Sequence, residues 1–204
     1  MINDDASRLK IINNLPPQVD LLLQLEALKN VERQNPLSAG SRRERVAEHS
    51  WHIALGVILL SEHSPDDLDI ARAVLLACVH DVVEAFVGDT FAFGSDVDGQ
   101  RSREEGAIAH IRATFPQPTA ALLADLWEEY EAQATPEARF VKGIDAFLPI
   151  LLNFLNPEES SWKNHGVDSR KVLKRLQRVE QPLGALAEIN KEMVAQAVRE
   201  GYLT

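Results

Sequence analysis

The chain of 204 residues has one cysteine, Cys78, and two methionines. A lone thiol excludes a disulfide framework and any zinc site built on cysteine pairs, and it fits a reducing compartment such as the cytoplasm. Lying within the apolar run Ala71 to Val79, Cys78 reads as a small core residue. Long hydrophobic runs are lacking too. The longest, Trp51 to Leu60 and Ala146 to Leu155, fall well short of the ~20 residues that span a bilayer, so no membrane partner is expected. The N-terminus carries Asp4 and Asp5 and no apolar signal core, unlike a secretory peptide. Positive charge is scarce. With 21 Lys and Arg against 31 Asp and Glu, the formal net charge is -10 and the pI near 5.1. Nucleic acid is therefore a poor partner, although a local Arg cluster could still hold a small phosphate. No stretch alternates like a strand over a useful length, and no repeat or low-complexity linker divides the chain.

What is present is helical spacing of apolar residues, on a chain long enough to bury a core as one domain. A first helix is expected over Val19 to Leu28, after Pro16 and Pro17. Arg33 to Gly40 reads as a loop, and Ser41-Arg42-Arg43-Glu44 as a capping box. A long helix from Val46 to Ser61 carries His49 and His52 on one face. Ser64-Pro65-Asp66-Asp67 supplies a cap, a first-turn proline and acids that complement the helix dipole, launching the helix that delivers His80 and Asp81. Thr90 to Gly99 is a loop rich in Gly and Asp that could frame a pocket mouth. Helices follow over Arg101 to Thr114, Thr119 to Gln133 and Ala138 to Leu155, the last opened by Thr135-Pro136-Glu137 and ended by Asn156-Pro157. Two more, Ser169 to Val179 and Leu183 to Glu200, finish the chain, with Gly201 as a stop. The expected fold is all-α: one helical bundle over residues 1–204, with a metal-binding core at about 21–155 and C-terminal helices over 156–204.

The centre of this pattern is His80-Asp81-Val82-Val83-Glu84-Ala85-Phe86-Val87-Gly88-Asp89, an imidazole and a carboxylate at the end of an apolar run. A buried carboxylate needs a cation, a hydrogen-bonded ion pair or a proton. On a helix, Glu84 would share the face of His80 and Asp81, and Asp89 could return to it after Gly88. The plain alternative is a helix end with a capping histidine and solvated acids. His49, His80, Asp81 and Asp145 fall on three helices among apolar neighbours. Two imidazoles and two carboxylates suit manganese, iron, cobalt, magnesium or zinc, with positions left for water and substrate oxygen. Such an ion lowers the pKa of bound water and neutralises phosphoryl charge. His52 reads as a hydrogen-bond partner behind the ligands or a core histidine; His63, His110 and His165 read as surface residues. Trp51, Trp127 and Trp162 read as packing residues.

The order His49, His80-Asp81, Asp145 resembles the H…HD…D signature of HD-domain metal-dependent phosphohydrolases, and within them the 5'-deoxynucleotidase-like branch. The likeness also rests on Arg-Val-Ala-Glu-His-Ser around His49 and on Leu-Trp-Glu-Glu-Tyr-Glu-Ala-Gln-Ala-Thr-Pro-Glu-Ala-Arg-Phe-Val-Lys-Gly-Ile-Asp leading to Asp145. It runs from about Leu21 to Leu155 and more weakly onward. The resemblance implies one divalent metal held by these four residues. It places Glu84 and Asp89 beside the phosphate, in water activation, substrate hydroxyl contact or the holding of a second metal, and it implies a homodimer. The implied substrate is a small-molecule deoxyribonucleoside 5'-monophosphate. Hydrolysis of another phosphate ester or signalling nucleotide, and nucleotide binding without turnover, are the alternatives. Arg43 and Arg45, with Arg42, either clamp phosphate or form a solvated helical turn; Lys142 either touches phosphate or pairs with an acid.

Overall fold

The computed structural model describes residues 11–64, 66–94, 97–177 and 180–204. Asp4, Asp5, Pro65, Ser95, Asp96 and Val179, which figured in the expectations above, lie outside the described residues.

The helix at the centre of the packing is α7, Pro136–Leu155 in the numbering used here. It follows α1 (Pro17–Leu25), α2 (Val46–Leu60), α3 (Ile70–Val79), a short α4 (Glu84–Val87), α5 (Val97–Thr114) and α6 (Thr119–Ala132). After it come α8 (Ser161–His165), α9 (Ser169–Gln177), α10 (Glu180–Leu183) and α11 (Ala185–Glu200). The start of α7 is the one expected: Thr135 Oγ1 accepts from the Ala138 N–H at 3.2 Å, with proline in the first turn. Capping and a preset φ favour that start. α7 packs against α2, α3, α6, α10 and α11, and buries Phe140, Val141, Ile144 and Leu148. At Gly143 the approach of α10 is so close that a Cβ would lie 2.7 Å from Leu183 Cδ2, so any side chain there must displace Leu183. Most of the buried apolar residues form one cluster from Leu21 to Leu203.

The helical fold was expected; several local features depart from the expectations. First, Arg33 to Gly40 is not wholly loop, because Glu32–Pro36 (β1) pairs antiparallel with Arg43–Arg45 (β2). These strands are polar and serve the site, so apolar alternation never marked them. Second, the helix start is capped one residue past Ser41-Arg42-Arg43-Glu44, at Arg45, where the Glu48 carboxylate accepts from Arg45 N at 3.0 Å. Third, α3 begins at Ile70 under an Asp69 cap that accepts from Arg72 N at 3.0 Å; Asp66 and Asp67 precede it. Fourth, Cys78 is exposed rather than core. α3 buries Ala73, Leu76, Ala77 and Val79, and Cys78 shares the opposite face with Ala71 and Leu75. Trp51 is also outward, at 65% exposure, whereas Trp127 and Trp162 are buried.

Candidate metal centre

The helix carrying the His-Asp pair stops at Val79. His80 to Val83 form a tight turn, with Val82 N bonded to Val79 O and Glu84 N to Asp81 O, before α4 restarts at Glu84. His80, Asp81 and Glu84 thus reach one cavity from a turn rather than from a continuous helical face. Gly88, at φ 77°, ends α4 in the left-handed region and turns the chain so that Asp89 reaches the same cavity. α2 brings His49 and α7 brings Asp145, both buried.

The side chains converge closely. Ligand atoms of His49, His80 and Asp81 lie within 4.8 Å of one another. His49 Nε2 is 3.2 Å from Asp145 Oδ1 and 4.0 Å from Asp81 Oδ2. His80 Nδ1 donates to the Ala77 carbonyl at 2.8 Å, which fixes its tautomer and leaves Nε2 as a lone pair. That Nε2 is buried and lies 2.9 Å from Asp81 Oδ2 without hydrogen-bond alignment. Two lone pairs face each other there. A divalent cation resolves this arrangement, and an imidazole oriented by a carbonyl behind it is a common setting for a metal ligand. The residues present therefore fit a metal.

Around these four sits a ring of which the sequence had singled out Lys142 alone as a candidate. Arg33 on β1 places Nη1 3.0 Å from Asp81 Oδ2 and 3.6 Å from Asp89 Oδ1. Glu44 on β2 sets Oε2 3.2 Å from His49 Nδ1 and 3.5 Å from Arg33 Nε, near both without aligning on either. Tyr130 donates its hydroxyl proton to Asp145 Oδ2 at 2.9 Å and accepts from Lys142 Nζ at 2.8 Å. Lys142 Nζ and Arg175 Nη2 stand 3.5 and 3.7 Å from Asp145 Oδ2. Tyr130 and Lys142 lay inside the motif leading to Asp145 and Glu44 inside the expected capping box; Arg33 and Arg175 lay in neither.

Charge is divided sharply within the cavity. Burial opposes ionisation of Asp81, but the positive charge gathered round it, with Arg33 Nη1 3.0 Å away, prevails and holds its carboxyl well below the usual range. Asp145 is also held low, since Lys142, His49 and Arg175 overcome its burial. Glu84 goes the other way. Burial, then Asp81 and Asp89, push it up to about 11, and its Oε2 is buried without a partner. Asp89 is raised by burial despite Arg33. The cavity has a volume of about 500 Å³ and is lined by His80, Asp81, Glu84, Asp89, Lys142 and Asp145 together with Arg33, Arg101, Tyr130 and Arg175.

Arg43 and Arg45 are not part of this lining. Arg43 Nη1 donates to Gln34 Oε1 at 2.6 Å, while Arg45 donates to Lys29 O at 3.2 Å and pairs with Glu32 at 3.4 Å. Strand pairing directs both away, and the cavity draws its cations from Arg33, Lys142 and Arg175 among others. His52 stacks beside Trp51, with ring centroids 6.3 Å apart.

A family model described as the HD domain matches residues 25–186. The 5'-deoxynucleotidase HDDC2 of Homo sapiens is 37% identical over 105 residues, covering 51% of this chain and 50% of the human protein. The 5'-deoxynucleotidase hdd1 of Schizosaccharomyces pombe is 30% identical over 129 residues, covering 60% of this chain and 64% of the yeast protein. The chain spans about half the length of the first of these curated relatives. A predicted metal-dependent phosphohydrolase from Magnetospirillum magnetotacticum MS-1, known as a crystal structure, is 38% identical with TM-score 0.84, each chain covered to 100%. The PH0347 protein of Pyrococcus horikoshii OT3 shares the fold alone: TM-score 0.60, 18% identity, 89% of this chain and 98% of that one.

Proposed function

Because the chain belongs to the HD-domain family, we propose that it is a divalent-metal-dependent phosphomonoesterase that removes the 5'-phosphate of deoxyribonucleoside monophosphates. The observation that carries the reading is His80 Nε2, a buried lone pair 2.9 Å from Asp81 Oδ2 while Nδ1 is engaged by Ala77. The human and fission-yeast relatives are 5'-deoxynucleotidases, which favours the deoxynucleotide.

His49, His80, Asp81 and Asp145 are the proposed ligands. Their donor set suits manganese, cobalt, iron, zinc or magnesium. A bound divalent cation supplies a lowered water pKa and neutralises charge on the phosphoryl oxygens. The chain's own residues do the rest. Arg33, Lys142 and Arg175 orient the phosphate, their donors matching its oxygens. Tyr130, held between Lys142 and Asp145, fixes the carboxylate it donates to. Glu84 is in reach of the cavity as a proton acceptor for the attacking water, and a neighbouring cation is what allows so strongly raised a carboxyl to ionise. Asp89 shares that role or, with Glu84, holds a second ion.

We extend the proposal to one HD domain over the whole chain, acting as a cytoplasmic homodimer. Trp51, Ile58 and Leu59, exposed at 65%, 50% and 70% along one face of α2, support a covered surface. Among the described residues no helix is long and apolar enough to cross a membrane. The test is phosphate release from deoxy- and ribonucleoside monophosphates by metal-stripped protein resupplied with each divalent ion. Asp81→Ala should lose both metal retention and turnover, and full activity in the folded variant would refute the ligand set.

A further inference from the structure

The polar ribbon of β1 and β2 has two sides. Glu32 and Arg45 pair across it, with Glu32 exposed and Arg45 half-buried. The neighbouring position on each strand points the other way, and there Arg33 and Glu44 are buried, at 9% and 2% exposure. Burying a carboxylate is costly unless it meets partners. Glu44 meets two. Its Oε2 stands 3.2 Å from His49 Nδ1 and 3.5 Å from Arg33 Nε. All three atoms are buried, and among the described residues no other group completes a hydrogen bond to any of them.

His49 faces two ways. Its Nε2 lies 3.2 Å from Asp145 Oδ1 and 4.0 Å from Asp81 Oδ2, on the side where the proposed ligands gather. Nδ1, across the ring, faces Glu44. A neutral imidazole carries one proton and one lone pair. Binding an ion through Nε2 therefore requires the proton on Nδ1, and the acceptor within reach of Nδ1 is Glu44 Oε2. In the metal-free ring the proton has a rival seat, since Asp145 Oδ1 can accept it from Nε2 at 3.2 Å. A carboxylate behind the ring biases it toward the ligating tautomer and makes the free nitrogen more basic. His80 is held in the same way by the Ala77 carbonyl, 2.8 Å from its Nδ1. Backbone fixes one histidine, and a side chain the other. Arg33, anchored through Nη1 to Asp81 at 3.0 Å, keeps its Nε beside Glu44 and so steadies that carboxylate.

We propose that Glu44 is the positioning residue of His49: from behind the ring, its carboxylate holds the tautomer that binds a divalent ion through Nε2. The inference rests on the metal-dependent reading above and adds to it a residue that touches neither ion nor substrate.

The test reads metal binding rather than turnover. The metal-stripped full chain is titrated with zinc against a chromophoric chelator. Glu44→Ala should bind zinc about 10- to 100-fold more weakly than wild type. Glu44→Gln keeps an oxygen that accepts from Nδ1 and should stay within about threefold. Glu32→Ala, on the outer side of the same ribbon, should stay within about twofold, which separates loss of the carboxylate from loss of the ribbon. Undiminished affinity in folded Glu44→Ala would overturn the proposal, as would Glu44→Gln or Glu32→Ala binding as weakly as Glu44→Ala. If Glu44→Ala does not fold, imidazole nitrogen NMR of the zinc-loaded wild type decides: a His49 proton on Nδ1 supports the proposal, and one on Nε2 overturns it. Phosphate release separates the two readings. The expected order of zinc affinities without release from any nucleotide would uphold Glu44 and refute the phosphatase, while release with equal zinc affinity in Glu44→Ala would refute Glu44 alone. A wild type that binds no zinc would refute the metal reading and this inference with it.

Discussion

Replacing Glu84 by Gln should make the metal-free protein more stable while destroying its activity. Glu84 is 5% exposed, and its Oε2 has no hydrogen-bond partner. Its carboxyl stands at about 11 against an ordinary 4.5, driven by burial and then by Asp81 and Asp89. The folded state binds this proton more tightly than the unfolded chain, so the stabilisation is complete below pH 4.5 and is lost as pH rises toward 11. The loss is at most about 1.4 kcal/mol for each pH unit, hence about 3 kcal/mol by pH 7. Gln keeps the shape and cannot ionise. Urea denaturation of metal-stripped wild type and Glu84→Gln at pH 6, 7 and 8 should show the variant gaining on wild type by about 1 kcal/mol per unit. Restoring the divalent ion should flatten the wild-type slope, because a cation favours the ionised carboxylate. Parallel stability profiles for the two proteins without metal would refute the reasoning.

Other expectations follow from the same geometry. Lys142→Ala removes the donor to Tyr130 and one cation beside Asp145, and should raise KM for a nucleotide about tenfold in steady-state assays. Arg45→Ala, whose side chain is engaged by Lys29 and Glu32, should leave KM within about twofold. Gly143→Ala drives a methyl to 2.7 Å from Leu183 Cδ2 and should cost about 1–3 kcal/mol, read as a lowered Tm. Cys78 should react with a thiol reagent in the native protein without loss of turnover, since it lies on the outer face of α3.

The helices that carry the proposed ligands were legible because burial imposes a period on the sequence. α2, α6 and α7 fall close to their expected bounds, and Thr135-Pro136 marks the start of α7 outright. His49, His80, Asp81 and Asp145 could be singled out because ionisable residues among apolar neighbours demand a partner. Their meeting point could not. The turn at His80 to Val83 breaks the helix that spacing alone would continue, and the polar ribbon of β1 and β2 leaves no apolar alternation to find. Cys78 and Trp51 show the same limit: an apolar run does not say which of its faces meets solvent. Arg33 and Arg175 are separated by 142 positions of chain, counting from 33 to 175, yet both stand at the metal cavity. The sequence by itself determined the helical class and the chemistry of the central donor set, because periodicity and residue type are local properties. Only the tertiary structure decided which cations face that set, that Arg43 and Arg45 turn away, and that Glu44 stands behind His49, because those depend on which surfaces pack together.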